Sequence, residues 1–211
     1  MEVTSINSNN KLILGLLSAV SILLIVRYFH NKSKTNSENI SDNINESETE
    51  NILSPKSIVI GDSQSIFISN NNSIAKIIGT EETEKNLWKS GIDLNWLKKA
   101  VEKYPVSENV KNVVVSIGAN GGYNPKENIA GLLTSLKKTF PNAKFYIVKG
   151  SWGWGNIKSV TESRVNTYYD TFKKLGVTVI PTPIGKTSNP HTDLPIYKVI
   201  GKDIYKQIIH N

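Results

Sequence analysis

The stretch SIVIGDSQS, Ser57 to Ser65, decides the fold. A short β-branched run ends abruptly in Gly61-Asp62-Ser63, a pattern typical of a buried strand, a tight turn and a helix start. Ligands of open parallel sheets lie at the carboxyl ends of the strands. A helix N-terminus also offers free N–H groups to a developing anion. Ser63 is therefore a candidate nucleophile that carries part of its own oxyanion site.

A hydroxyl nucleophile needs a base, which is most often histidine, and the chain has three histidines. His30 follows an apolar segment outside any expected globular core. His210 is the penultimate residue, at a terminus expected to fray. His191 lies in a polar loop, residues 186–193, between the last strand-like run and the last helix-like run. His191 is therefore the candidate base.

Two further glycine-rich loops follow strand-like runs. The first contains Asn120, whose side-chain N–H can be donated to an oxyanion. The second, residues 149–156, carries Trp152 and Trp154, and its place predicts the same rim of the sheet as Ser63. Flat indoles suit stacking on a sugar ring or covering an acyl pocket. Packing of one or both indoles against the core is the alternative.

In this order, the motifs resemble the SGNH, or GDSL-like, hydrolases over roughly residues 56–211. The four matching blocks are Gly61-Asp62-Ser63, Gly91 within residues 88–92, Gly118-Ala119-Asn120, and His191. The resemblance implies that Ser63 attacks an ester carbonyl and that His191 is the base. It also implies an oxyanion hole made by the N–H groups of Ser63 and Gly91 and by the Asn120 side chain. Such a site needs no metal and no cofactor.

Two positions depart from the family pattern. The family usually has aspartate after the asparagine of the third block, where this chain has Gly121. It also usually has aspartate three residues before the histidine, where this chain has Ser188. The carboxylate that fixes the tautomer of the imidazole is therefore missing from its usual place. Ser188, Asp193 or a backbone carbonyl are the candidates for orienting His191 instead.

Strand-like and helix-like runs alternate through the rest of this region, which predicts βαβ units. We expect a three-layer α/β/α domain with a mainly parallel five-stranded sheet, and the resemblance implies a flavodoxin-like arrangement. Strands are predicted at 57–60, about 86–89, 112–117, 144–148 and 177–180. Helices are predicted near 63–78, 94–104, 126–139, 157–175 and 195–209.

The N-terminal quarter differs sharply in composition. After a short tail, residues 1–11, the run from Leu12 to Val26 is wholly apolar or small, which predicts a transmembrane anchor over 12–29. A cleaved signal peptide is the rival, but no small-x-small cleavage site follows the run. Residues 30–55 are rich in Asn, Ser and Glu and predict a flexible linker. The flanking charges lean towards a cytoplasmic C-terminal domain, and the side of the membrane stays open.

Charge and cysteine content limit the function classes. The chain has 211 residues, a net charge of +7 and no cysteine, which excludes disulfides and thiol chemistry. Residues 56–211 hold 21 Lys and Arg against 12 Asp and Glu, a net charge of +9. A basic domain can favour anionic partners, although a solvated lysine-rich surface is the plainer interpretation. No motif indicates nucleic-acid binding.

The sequence therefore predicts a single-pass, membrane-anchored serine ester hydrolase with a Ser-His dyad or an incomplete triad. A small-molecule or glycan ester is the expected substrate, and an O-acyl (acetyl) group on a carbohydrate is one candidate. The alternative is a weak or inactive SGNH-like protein with a structural or binding role in a membrane or envelope. A lipid esterase acting at its own membrane is a third possibility.

Overall fold

Five short strands form one wholly parallel sheet in the order β2-β1-β3-β4-β5. The computed structural model describes residues 57–78, 86–183, 185–192 and 194–209. Because β1 neighbours both β2 and β3, the winding of the chain reverses there, and open α/β sheets bind ligands beside such a switch point. The strands are β1 (Ser57–Gly61), β2 (Lys76–Ile77), β3 (Asn112–Ser116), β4 (Lys144–Val148) and β5 (Thr178–Ile180).

Among the described residues, five helices cover the sheet. The α1 and α5 helices pack together, and α3 packs against both α2 and α4. Side chains of Asp93, Asn128 and Thr161 cap the N-termini of α2, α3 and α4, and such caps stabilise a helix by about 1 kcal/mol. The helices are α1 (Gln64–Asn70), α2 (Leu94–Lys103), α3 (Ile129–Thr139), α4 (Glu162–Lys174) and α5 (Leu194–Ile209), with a 3₁₀ turn at Gly155–Ile157.

Alternating side chains of the central strands fill two apolar layers. Ile58 and Ile60 belong to the larger core cluster, which also contains the inner faces of α2, α3 and α4. Val59 between them is fully buried and lies outside that cluster. Successive strand residues point to opposite faces, so Val59 packs on the side of α1 and α5. Burial on both faces explains the near-continuous apolar runs of these strands.

The predicted three-layer architecture is confirmed, but the position predicted for the second strand, about 86–89, is wrong. The 86–89 segment makes only a single bridge, between Trp88 and Gly61, whereas β2 lies at Lys76–Ile77 and pairs with β1. The helix predicted over 63–78 ends at Asn70. Asn72 Oδ1 accepts hydrogen bonds from the N–H groups of Ile74 and Ala75, and such local bonds compete with the helix.

The tail, anchor and linker predicted within residues 1–55 lie outside the described residues. In the part of the chain that is described, no helix is long and apolar enough to cross a membrane.

Candidate active site

A tight turn at the end of β1 positions Ser63. Gly61 has a φ of +130°, and a Cβ there would overlap the carbonyl of Ser116, so the turn requires glycine. The Asp62 N–H donates to that same carbonyl at 2.8 Å. Ser63 is the N-cap residue of α1, but its side chain makes no capping hydrogen bond. Its hydroxyl is thus left for another partner.

That partner is His191. Ser63 Oγ and His191 Nε2 lie 2.9 Å apart, although 128 residues separate them in sequence. Ser63 is buried, with 7% of its surface exposed, and His191 is half-buried. Burial lowers the pKa of His191 below its usual 6.5, so the imidazole is neutral at neutral pH. A neutral ring protonated at Nδ1 can accept the Ser63 proton at Nε2.

Packing and local hydrogen bonds hold the His191 ring in place. The ring lies between Phe67 and Trp154, with centroid distances of 5.7 and 5.5 Å. The His191 N–H donates to Asn189 Oδ1 at 3.0 Å. The loop is fastened to the end of β4 because the Thr187 N–H donates to the Trp152 carbonyl at 2.9 Å. The β4 loop thereby fixes the position of the histidine loop.

Each of the three groups predicted for the oxyanion hole has an N–H that makes no hydrogen bond within the described residues. Asn120 Nδ2 donates one hydrogen to the Ile92 carbonyl at 3.0 Å, which ties its loop to the residue after Gly91. The second hydrogen of that amide remains available. Gly91 is exposed and has a φ of +76°. Within the described ranges, the backbone N–H groups of Ser63 and Gly91 donate to no acceptor.

Of the two side chains predicted to orient His191, only Ser188 lies within the described residues. Ser188 is exposed and makes no hydrogen bond to the ring among the described residues. Asp193 lies outside the described residues. No described group accepts a hydrogen bond from His191 Nδ1, and packing against Phe67 and Trp154 is the orienting contact that is seen.

The two tryptophans of the β4 loop have different environments. Trp152 is buried, with 6% of its surface exposed, and belongs to the hydrophobic core. Trp154 is half-buried, and its ring makes a T-shaped contact with that of His191. The indole N–H of Trp154 donates to Ser151 Oγ at 3.0 Å. Of the two, Trp154 is the one placed beside the Ser63–His191 pair.

A buried polar network behind the site was missed at the level of sequence. Ser151 Oγ and the Tyr197 hydroxyl both donate to Gln64 Oε1, at 3.2 and 3.4 Å. Through Ser151, the network joins the β4 loop, including Trp154, to α1 and α5. Gln64 is the residue directly after Ser63, and that adjacency is the only sequence signal for it. A glutamine on an inward helix face cannot be told from a surface one by type alone.

Asp62, next to the nucleophile, is buried inside the turn. Its Oδ1 accepts hydrogen bonds from the Gln64 N–H at 3.0 Å and from Ser116 Oγ at 3.3 Å. Oδ2 is buried and has no partner among the described residues. Burial raises the pKa of Asp62 to about 7, against the lowering effect of the two hydrogen bonds. These contacts give Asp62 a structural role in the turn.

Comparison with known proteins supports the same architecture. No family model matches the chain, and no curated protein matches it. A solved structure from Streptococcus pneumoniae, described as platelet activating factor, matches 90% of this chain and 99% of its own, with a TM-score of 0.53 and 12% identity. A lipolytic protein of the G-D-S-L family from Desulfitobacterium hafniense matches 72% of this chain and 99% of its own, with a TM-score of 0.50 and 10% identity. The chain has the fold of the SGNH, or GDSL-like, hydrolases.

Proposed function

We propose that this protein is a serine ester hydrolase. The observation that carries the proposal is the 2.9 Å separation of Ser63 Oγ and His191 Nε2 at the carboxyl end of β1. Nucleophilic catalysis requires a hydroxyl within hydrogen-bond reach of a base that is neutral at the working pH. The buried His191, with its lowered pKa, meets this requirement.

The reaction proceeds in two halves. Ser63 Oγ attacks the ester carbonyl carbon while His191 Nε2 takes the hydroxyl proton. The tetrahedral intermediate then collapses, the alcohol leaves with the proton from His191, and the acyl group stays on Ser63. In the second half, His191 takes a proton from the water that attacks the acyl-enzyme, and it returns that proton to Ser63 Oγ as the acid leaves. Both the nucleophile and the base are thus restored.

Three donors stabilise the oxyanion of each tetrahedral intermediate: the N–H groups of Ser63 and Gly91 and the Asn120 amide. The bond from Asn120 to the Ile92 carbonyl supports this role, because it holds the amide beside the Gly91 loop. Donors fixed before the reaction cost no reorganisation as charge develops. Removal of one such donor typically costs about 10²–10³ in kcat.

The substrate we infer is an ester of a polar alcohol, with an O-acetyl group on a carbohydrate as the leading candidate. The half-buried indole of Trp154 beside His191 supports this choice, since flat aromatic faces suit sugar rings. We further infer that residues 12–29 anchor the domain to a membrane through the polar linker. Both inferences are independent of the hydrolytic mechanism.

A non-catalytic role on the same fold is the competing function. Ser188 and Gly121 stand at usual aspartate positions, and no described residue accepts a hydrogen bond from His191 Nδ1. Loss of the carboxylate from a catalytic triad costs about 10⁴ in kcat, so a dyad is expected to be slow. The Ser63–His191 contact itself favours the catalytic role over the non-catalytic one.

Hydrolysis by wild type and Ser63→Ala tests the proposal. The substrates are an activated acetyl ester, its longer-chain homologue and an O-acetylated oligosaccharide. We expect release of acetate by wild type only, and a higher KM for the oligosaccharide alone in Trp154→Ala. Equal rates for wild type and Ser63→Ala would refute the proposal that Ser63 is the nucleophile of an ester hydrolase. An unchanged KM for the oligosaccharide in Trp154→Ala would refute only the proposed contact between Trp154 and the sugar.

A further inference from the structure

The end of the domain opposite Ser63 is basic. All five strands are parallel, so they begin at this end, and the helices that return between them finish here. Exposed lysines at these strand starts and helix ends include six that lie near the starts of β3 and β4 and at the ends of α3 and α4: Lys111, Lys137, Lys138, Lys144, Lys173 and Lys174.

Most exposed large apolar side chains lie at the same end. Val106 follows α2 and Leu175 follows α4, with 61% and 36% of their surfaces exposed. Tyr205 and Ile209 lie in the last turns of α5, 42% and 50% exposed. In the described residues only one other large apolar side chain is exposed, Val199, midway along α5. We call these four apolar residues and the six lysines the basal face.

The part of the basal face formed by the ends of α2, α3 and α4 and the starts of β3 and β4 is contiguous. Lys137 and Lys144 line one surface groove of 540 Å³, which also reaches Gly176 just after α4. The Ser107 N–H, next to Val106, donates to the carbonyl at the end of α3, Thr139, at 2.8 Å. The Lys144 N–H donates to the Lys111 carbonyl at 2.8 Å.

Acidic side chains offset this charge only in part. Glu102 and Glu108 are exposed at the same end, and Asp170 lines a surface groove together with Lys173. The Glu102 carboxylate is already bonded by Lys98 and Ser135. Lysines in the last turn of a helix also complement its dipole, which accounts for those ending α3 and α4. The dipole does not account for Lys111 and Lys144 at strand starts, nor for the exposed apolar residues beside them.

We propose that the basal face binds the surface of an anionic bilayer. The lysines contact the acidic headgroups, and Val106, Leu175, Tyr205 and Ile209 sit at the boundary between headgroups and acyl chains. Lysine stems and tyrosine rings suit that boundary because each has an apolar body and a polar end. A soluble polyanion would satisfy the lysines but would leave the apolar side chains exposed.

The point at which the chain enters the domain agrees with this orientation. β1 begins at the basal end with Ser57, two residues after the predicted linker ends, and the predicted anchor precedes that linker. The predicted linker would keep the domain near the bilayer without orienting it. The basal face supplies the orientation and turns Ser63 towards the aqueous phase. Esters would then be taken from water, not from the bilayer beneath.

The absence of cysteine from the chain makes a direct test possible. The full-length protein is labelled with an environment-sensitive fluorophore at Val106→Cys or, on the site end, at Asn156→Cys. Each is reconstituted into vesicles of phosphatidylcholine alone or mixed with phosphatidylglycerol. We expect the Val106→Cys label to enter an apolar environment only in the anionic vesicles, and the Asn156→Cys label to stay in water in both.

Charge variants provide the matched control. A lysine near an anionic surface strengthens binding about fivefold, so Lys138→Gln with Lys174→Gln should lower the ratio of membrane-bound to free label by about tenfold or more. Lys126→Gln with Lys158→Gln, exposed at the other end, should leave the ratio unchanged. Raised salt should also lower the ratio of membrane-bound to free label, because it screens the lysines from the headgroups. The proposal would be overturned by equal signals from both labels or by signals that do not depend on lipid charge. It would also be overturned if heparin, in place of vesicles, changed the Val106→Cys signal as much as anionic vesicles do.

Discussion

Asp62→Asn should stabilise this protein at alkaline pH and change its stability little at acid pH. Asp62 is buried with Oδ2 unpartnered among the described residues, and burial raises its pKa from 3.8 to about 7. Between pH 3.8 and about 7, the folded state therefore keeps a proton on Asp62 that the unfolded state has released. Its stabilising effect is complete below pH 3.8 and is lost as the pH rises through about 7.

The magnitude follows from the size of the shift. The pKa rises by about three units, and each unit corresponds to about 1.36 kcal/mol, so the charged form costs up to about 4 kcal/mol. That is a large part of the 5–15 kcal/mol typical of a whole domain. Asparagine keeps the Oδ1 acceptor for the Gln64 N–H and for Ser116 Oγ but carries no charge.

Urea unfolding across this pH range measures the effect. The difference in unfolding free energy between Asp62→Asn and wild type should grow by up to about 4 kcal/mol as the pH rises past both pKa values. Ser116→Ala is the matched control, because it removes a hydrogen bond that lowers the pKa of Asp62 and should enlarge the pH dependence of an otherwise wild-type chain. Parallel stability curves for Asp62→Asn and wild type would refute the reasoning.

Three further predictions concern catalysis. Asn120→Ala should lower kcat on an activated ester by about 10²–10³ with an unchanged circular dichroism spectrum, since one oxyanion donor is lost; unchanged turnover would remove Asn120 from the hole. Because burial lowers the pKa of His191, kcat/KM should rise with pH and reach half its maximum below pH 6.5, whereas a midpoint above 6.5 would contradict that lowered pKa. Ser188→Asp should raise kcat by supplying a charged acceptor for the imidazole; no gain there, with a large loss in Asp193→Asn, would show that Asp193 already orients the ring.

Much of the fold could be predicted because its central strands are buried on both faces. Such strands are continuous apolar runs, and glycine or polar residues mark their ends, as in β1, β3 and β4. The edge strand β2 could not be found, because its two residues, Lys76 and Ile77, carry no such pattern. The 86–89 segment was mistaken for a strand because Leu87 and Trp88 are as buried as strand residues.

The site was predictable where residue type carries the chemistry. Ser63 stands out because it follows Gly61-Asp62 at the end of an apolar run, and His191 stands out because the sequence has two other histidines, each close to a segment outside the expected core. Gln64 and Ser151 could not be identified, since their function depends on burial and on each other across 87 residues. Trp152 and Trp154 are equivalent in sequence, and only the fold separates a core indole from one that contacts His191.

Covalent labelling of Ser63 tests the central claim most directly. The protein is treated with a fluorophosphonate, and the modified residue is identified by mass spectrometry in wild type, Ser63→Ala and His191→Ala. We predict stoichiometric modification of Ser63 in wild type, none in Ser63→Ala and a much slower reaction in His191→Ala, because the base activates the hydroxyl. A folded wild-type protein whose Ser63 does not react, or reacts equally fast without His191, would contradict the proposed nucleophile and base.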